Sequence, residues 1–296
     1  MRIKIILILL LQLIVGVVRA QQSDISIITE RLIDKEIQGE YDPQLLQMSL
    51  ETMTANGSWN DIDYLTVNNT YEPGKHLDRL VNMAMAYRKS GSIYTNSKDL
   101  LDKIILGLDY FYQEQPISAN WWYIDIGAPQ KYMIVLLLLK DIIEGEKLMY
   151  YSQYLKDKTD NLAHKGKNRT WVSAITIYKG CIEDKPDLIR TGFNSIASTI
   201  KIATYHDVEG IKIDNSIHQH RPQLYSGGYG MSFMADLIEY ISLAHGTEFA
   251  NLFTTGKIKI ISDVMLGGQQ QFGYKNTYDF GTVGRTVSRR NGLSNI

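Results

Sequence analysis

Apolar residues recur at three- and four-residue spacing along most of this chain, and that period commits it to helices. Leu77, Leu80, Val81, Ala84 and Tyr87 form one stripe; Leu100, Leu101, Ile104, Ile105, Leu108 and Tyr112 form the next. Leu188, Ile189, Phe193, Ile196 and Ile200 form a third, and Tyr229, Phe233, Leu237, Ile238 and Ile241 a fourth. Residues 133–139 are continuously apolar, so that helix is buried on most sides. It is also too short to cross a bilayer. Asn56-Gly57-Ser58, Ser90-Gly91-Ser92 and Ser226-Gly227-Gly228 punctuate the helices. Strand alternation is scarce, with short candidates at 210–214 and 272–279. Helices joined by short connections pack as antiparallel hairpins. Amphipathic helices alternating with nearly all-apolar ones predict two layers, an outer and an inner. No tight repeat is present, so an irregular helical toroid is expected rather than a regular solenoid.

The N-terminus reads as an address. Arg2 and Lys4 precede an apolar run over 5–18, and Val18-Arg19-Ala20 offers a cleavage site. The expectation is a secretory signal peptide over 1–20, a mature chain from Gln21, and a secreted or periplasmic location. The alternative is an N-terminal membrane anchor, for which the run is short.

Charge and cysteine content remove several functions. Lys+Arg total 31 and Asp+Glu 32 in 296 residues, so the chain lacks the basic excess of a general nucleic-acid binder. Cys181 is the single cysteine, which excludes an intrachain disulfide framework and a multi-cysteine zinc site.

Four segments between the stripes concentrate polar and aromatic chemistry. Asn120-Trp121-Trp122-Tyr123 sets two of the four tryptophans side by side. It reads as an aromatic wall for sugar rings or as a loop anchored by two core tryptophans. Lys165-Gly166-Lys167-Asn168-Arg169-Thr170-Trp171 reads as an anion site or as a solvated basic loop; its Asn-Arg-Thr triplet also fits a glycosylation sequon. In the third segment, His218 and His220 alternate as a metal pair would, but no carboxylate or third histidine lies at telling spacing, so no metal is expected. Downstream, Tyr225-Ser226-Gly227-Gly228-Tyr229-Gly230 permits a sharp turn that delivers the Tyr229 phenol to a helix N-terminus. In the fourth, Gly284-Arg285-Thr286-Val287-Ser288-Arg289-Arg290, Arg285 and Arg289 would share one face of a helix. They read as a bidentate carboxylate or sulfate site or as a surface basic cluster.

Taken in order, Asn56-Gly57-Ser58-Trp59-Asn60-Asp61, Asn120-Trp121-Trp122, Asn168-Arg169-Thr170, Gln219-His220 with Tyr229-Gly230, and Gly284-Arg285 with Ser288-Arg289 resemble the family 8 polysaccharide lyases. That family includes chondroitin AC, hyaluronate and xanthan lyases, and the order and spacing look most like the first. The resemblance covers nearly all of 21–296. It implies an all-α fold, an incomplete (α/α) toroid, with β-sandwich domains following it in the family. It matches Asn168 to the amide that neutralises the uronate carboxylate, and His220 and Tyr229 to the catalytic histidine and tyrosine. Arg285 matches the arginine beside that tyrosine, Arg289 a substrate-binding arginine, and Asn120, Trp121 and Trp122 the aromatic patch. His218 departs from the apolar residue usual there. The chain stops at Ile296, before the sandwich and before a family glutamate that supports the arginine. The expectation is therefore a toroid domain truncated at its C-terminal end.

The implied reaction is β-elimination at a uronic acid of an acidic polysaccharide such as chondroitin or hyaluronan, with no cofactor, by a monomer. A base takes the C5 proton and the C4 oxygen leaves. Forming phenolate at pH 7 from an ordinary phenol costs about 4 kcal/mol, which a neighbouring cation offsets in part. The sequence leaves open whether His220 or Tyr229 is the base. Competing expectations are a non-catalytic carbohydrate-binding remnant, a toroid glycoside hydrolase using carboxylates such as Asp125 and Asp214, and a helical scaffold.

Overall fold

The computed structural model of the protein describes residues 23–159, 164–204, 206–275 and 277–288. The leader expected at 1–20 and Arg289 lie outside the described residues. Local sequence sets the first helices. Ser23 Oγ accepts from the Ser26 N–H at 3.2 Å and caps α1 (Asp24–Gln38). Asp42 Oδ1 accepts from the N–H groups of Gln44 and Leu45, and Pro43 opens α2 (Pro43–Thr52). The remaining main helices are α3 (Gly74–Arg88), α4 (Lys98–Glu114), α5 (Ala128–Leu139), α6 (Gly145–Ser152), α7 (Gly166–Ile182), α8 (Pro186–Thr199), α9 (Met231–Ala244) and α10 (Thr255–Asp263). The four stripes and the apolar run fall in α3, α4, α8, α9 and α5.

The helices form two rows. The inner row runs α3, α5, α7, α9, each packed on the next; α4 and α2 back α3, α6 backs α5, and α8 backs both α7 and α9. The nearly all-apolar α5 belongs to the inner row, with Leu136 to Leu139 fully buried. Each such side chain contributes about 1.5–3 kcal/mol. The amphipathic α4 and α8 lie outside. Helix α1 touches all four inner helices, and Arg31 Nη1 donates to the carbonyls of Leu243 and His245 at 2.6 Å.

The expected strand at 210–214 is shorter than its pattern, but it belongs to a small antiparallel sheet that periodicity did not reveal. The sheet comprises β1 (Gly210–Ile211), β2 (Ile217–Gln219) and β3 (Gln223–Leu224), in that order. Its register pairs Ile211 with Ile217 and His218 with Leu224. The segment 272–279 forms a hairpin of β4 (Gly273–Tyr274) and β5 (Thr277–Tyr278).

The Asn56–Asp61 motif serves the core. Trp59 is buried and its indole N–H donates to the Ser49 carbonyl at 2.9 Å, while Arg79 lies over its ring and pairs with Asp61.

Candidate active site

The segments that the sequence set between helices are largely helical. Trp121 and Trp122 open a helical turn that continues through a π-turn (Tyr123–Gly127) into α5. Asn120 caps this turn: its Oδ1 accepts from the Trp122 N–H at 3.1 Å. The basic segment forms the first turns of α7. No local side chain caps α7; instead Gln219 Oε1, from β2, accepts from the Lys167 N–H at 3.4 Å. That long-range contact ties the turn carrying Asn168 to the strand end carrying His220.

His220 follows β2 at φ 54°, and Arg221 follows it at φ 69°. Both are left-handed, and a non-glycine residue there carries strain of about 1–3 kcal/mol. The chain returns through β3 to Tyr225, whose N–H donates to the Ile217 carbonyl at 2.8 Å. Gly228, at φ 57°, then supplies the bend before Tyr229 and α9.

These turns bring three of the expected residues together. The rings of His220 and Tyr229 lie 4.8 Å apart at 83°. Arg285 stands 5.9 Å from the Tyr229 ring centroid, and its Nη2 donates to Tyr229 Oη at 3.4 Å. Arg285 reaches this position on a 3-10 turn (Gly284–Ser288), not on an α-helix. Asn168 sits three residues before Trp171 on α7, and Trp171 meets Tyr229 at 6.4 Å. Trp122 packs edge-on against Trp171 at 5.5 Å. Trp121 turns outward, 48% exposed, and stacks at 5.2 Å on His164.

Two atoms of the expected residues are buried without a partner: His220 Nε2 in this cluster and Asn168 Oδ1 on the turn of α7 that Gln219 ties to it. A buried polar atom left unpaired costs about 1–3 kcal/mol, a cost that a bound ligand removes. Burial pushes the His220 imidazole below the ordinary histidine range, and Arg285 pushes the same way against the opposing pull of Glu209. The imidazole is therefore neutral near pH 7. Lys167 is spent elsewhere: its ammonium pairs with Asp236 at 2.5 Å, and burial lowers its pKa.

Two side chains outside the expected set join the site. Trp171 links the aromatic wall to Tyr229; its place three residues after Asn168, on one helix face, was the available signal. Buried Tyr225 lies 5.1 Å from Tyr229, and its hydroxyl bonds Thr286, beside Arg285. The carboxylates considered for hydrolysis are engaged locally. Asp125 pairs with Lys158 at 3.3 Å, and Asp214 accepts from the Ser216 N–H and hydroxyl. Among the described residues no group of three His, Cys, Asp or Glu side chains could hold a metal ion.

A cavity of about 490 Å³ adjoins the tryptophans, lined by Trp122, Trp171, Tyr71 and Tyr123 among others. Its charges are mutually neutralised: Lys131 pairs with Asp78 at 2.6 Å and Lys35 with Glu239 at 2.7 Å. Tyr229, His220 and Arg285 lie outside its lining.

Residues 30–295 match the model of polysaccharide lyase family 8, N terminal alpha-helical domain. The chain belongs to polysaccharide lyase family 8. This family 8 chain is 25% identical over 249 residues to chondroitinase-AC of Pedobacter heparinus, covering 83% of its own length and 35% of that relative. It is also 25% identical over 214 residues to xanthan lyase of Bacillus sp. (strain GL1), covering 66% of itself and 23% of that enzyme. The family 8 chain thus spans about a third or less of these relatives. Among solved structures, a chondroitinase AC lyase from a study of enzyme–oligosaccharide complexes superposes with a TM-score of 0.85 at 23% identity. That match covers 92% of the family 8 chain and 40% of the solved chain, and the likeness shows the fold. No helix among the described residues is long and apolar enough to cross a membrane.

Proposed function

We propose that this chain carries the catalytic residues of a lyase that cleaves uronic-acid-containing glycans, chondroitin or hyaluronan, by β-elimination. The observation that carries the reading is the His220–Tyr229–Arg285 cluster, which lies beside the α7 turn holding the unpaired Asn168 amide.

In this reading Asn168 hydrogen-bonds the uronate carboxylate and stabilises the enolate-like charge that develops as C5 loses its proton. Asn168 Oδ1 and Nδ2 are exchangeable by a flip of the amide, so its donors are available to an anion. Tyr229 Oη takes the C5 proton, and the guanidinium of Arg285 supports the negative oxygen from which that step starts. The electron pair of the C5–H bond forms the C4–C5 double bond as the C4–O bond breaks. Tyr229 then gives its proton to the leaving oxygen. Water is not consumed, and the products are a 4,5-unsaturated uronate and a free hydroxyl. Neutral His220 holds the tyrosine ring edge to face and supports proton transfer without adding a second cation. Trp121 and Trp122 give the sugar rings an aromatic surface, and Arg289 binds the glycan. A glycan substrate outside the cell suits the secretory leader expected at 1–20.

The test is incubation of the full chain with chondroitin and with hyaluronan while ultraviolet absorbance is followed. Unsaturated ends should accumulate, and Tyr229→Phe should slow them at least ~100-fold, the scale of a lost acid–base group. Glycan binding without absorbance growth would replace this reading with a binding module. Full activity in Tyr229→Phe would remove the phenol from the mechanism.

A further inference from the structure

Glu209 holds both chain neighbours of His220. The sheet register pairs Gly210 with His218, which sets Glu209 opposite Gln219 at the end of β2. Glu209 Oε2 accepts from Gln219 Nε2 at 3.3 Å, and Oε1 accepts from the Arg221 N–H at 2.8 Å. One carboxylate therefore binds the residue before His220 by its side chain and the residue after it by its backbone. These bonds bracket a tight turn: Gln219 pairs with Gln223, and His220, Arg221 and Pro222 form the loop between them. His220 at φ 54° and Arg221 at φ 69° are both left-handed without being glycine. Such a pair persists only where its surroundings hold it, and the bond from the Arg221 N–H to Glu209 is one such hold.

The same carboxylate sets the orientation of the Gln219 amide. A carboxylate only accepts and a backbone N–H only donates. Gln219 therefore turns Nε2 to Glu209 and Oε1 to the Lys167 N–H, at 3.4 Å. The reverse orientation would break both bonds. Gln219 is buried, and its contact with α7 is close: a Cβ on Gly166 would fall 2.0 Å from Gln219 Oε1. Asn168 is the next residue after Lys167. The bonds from Arg221 to Glu209, from Gln219 to Glu209 and from Lys167 to Gln219 thus run from the turn that presents His220 to the turn that presents Asn168.

We propose that Glu209 is a positioning residue for this site: through Arg221 and Gln219 it fixes His220 against Tyr229 and ties the first turn of α7, with Asn168, to that histidine. The inference rests on the reading of His220 and Asn168 as residues of a lyase. Glu209 acts through its neighbours and leaves the substrate to them.

Glu209 is half-buried and lies outside the apolar core, so it can be replaced without opening a cavity there. The experiment uses the full chain. In Glu209→Ala, kcat on chondroitin, followed by ultraviolet absorbance, should fall about tenfold with KM changed less than about twofold. Glu209→Gln keeps the size and one acceptor oxygen, so it should lose less in the same direction. Glycine takes a left-handed conformation freely, so Arg221→Gly added to Glu209→Ala should recover about threefold or more of the lost kcat. A second readout needs no turnover. Nuclear magnetic resonance of the His220 ring protons, which face the Tyr229 ring, should move toward free-histidine positions in Glu209→Ala and return when Arg221→Gly is added. Where the alanine variant is unstable, the same resonances in Glu209→Gln decide. Unmoved His220 resonances overturn the proposal, as does a rise in KM at constant kcat or a failure of Arg221→Gly to restore the lost function. The two readings separate cleanly. A wild-type chain that forms no unsaturated ends rejects the lyase and leaves the resonances to decide the positioning; unsaturated ends formed equally by wild type and Glu209→Ala keep the lyase and reject Glu209.

Discussion

The imidazole of His220 meets the phenol of Tyr229 edge to face while its own backbone is left-handed, so the ring is held at the expense of an unfavourable conformation. Arg285 lies against the same phenol. Burial is the first cause of the lowered His220 pKa and Arg285 the second. Protonation of His220 in the folded chain therefore occurs below the ordinary histidine value of about 6.5. Activity that needs neutral His220 should survive mild acidification and fail only below that value. Removing the cation, as Arg285→Met, takes away one cause of the lowering, so the titration should move upward. Nuclear magnetic resonance titration of the His220 ring measures this without relying on turnover; an unchanged or lower midpoint in the variant contradicts the assignment.

Tyr225 is the second device at this site. Its hydroxyl bonds Thr286, and its ring lies against Tyr229, so it clamps the 3-10 turn that carries Arg285. Tyr225→Phe keeps the ring and removes the bond. The expected result is a kcat lower by about tenfold, from a misplaced Arg285, with KM changed less than twofold. A rise in KM at constant kcat would show that Tyr225 acts on binding instead.

Trp121 and Trp122 should separate into different phenotypes. Trp121 is nearly half exposed, so Trp121→Ala should cost little stability, about 0.5 kcal/mol or less, while glycan affinity falls about fivefold to tenfold. Trp122 packs on Trp171 and against Gly127, and its loss leaves a hole. Trp122→Ala should cost about 2–4 kcal/mol in urea unfolding, in addition to weakening binding. Equal stability losses in the two variants would contradict this division.

His76 predicts an acid-sensitive core. Its ring is fully buried. Nε2 donates to the Gly107 carbonyl at 2.9 Å, so Nδ1 accepts the Tyr64 hydroxyl at 3.0 Å and the imidazole is neutral. Burial lowers its pKa to about 4; the Gly107 bond opposes this and Arg79 adds to it. Below about 6.5 the unfolded chain binds a proton that the folded chain refuses, so stability falls with pH until about 4. The loss attributable to this group is about 3 kcal/mol, at ~1.36 kcal/mol per pH unit. Urea unfolding between pH 7 and pH 4 should show a steeper loss in the wild-type chain than in His76→Gln. Parallel curves would assign the acid sensitivity to other groups.

The sequence made helices legible where burial is one-sided or complete, as in α4 and α5. It concealed the start of α7, because Lys165 provides no cap and Gln219 provides one from 52 residues away. A basic, polar first turn then looks like a loop. Of the small sheet only the strand at 210–214 was legible, for a similar reason: β2 has three residues, too few for a period, and its turn depends on left-handed backbone at His220 and Arg221. At the candidate site, residue types and order pointed to Asn168, His220, Tyr229 and Arg285. The clamp through Tyr225 and Thr286 required coordinates, since nothing local pairs positions 61 residues apart.

The contacts of α1 bear on how such a chain is made. Arg31 binds carbonyls more than 200 positions downstream, at Leu243 and His245. Helix α1 therefore waits for α9 before the Arg31 guanidinium finds those acceptors, and contacts so distant slow folding.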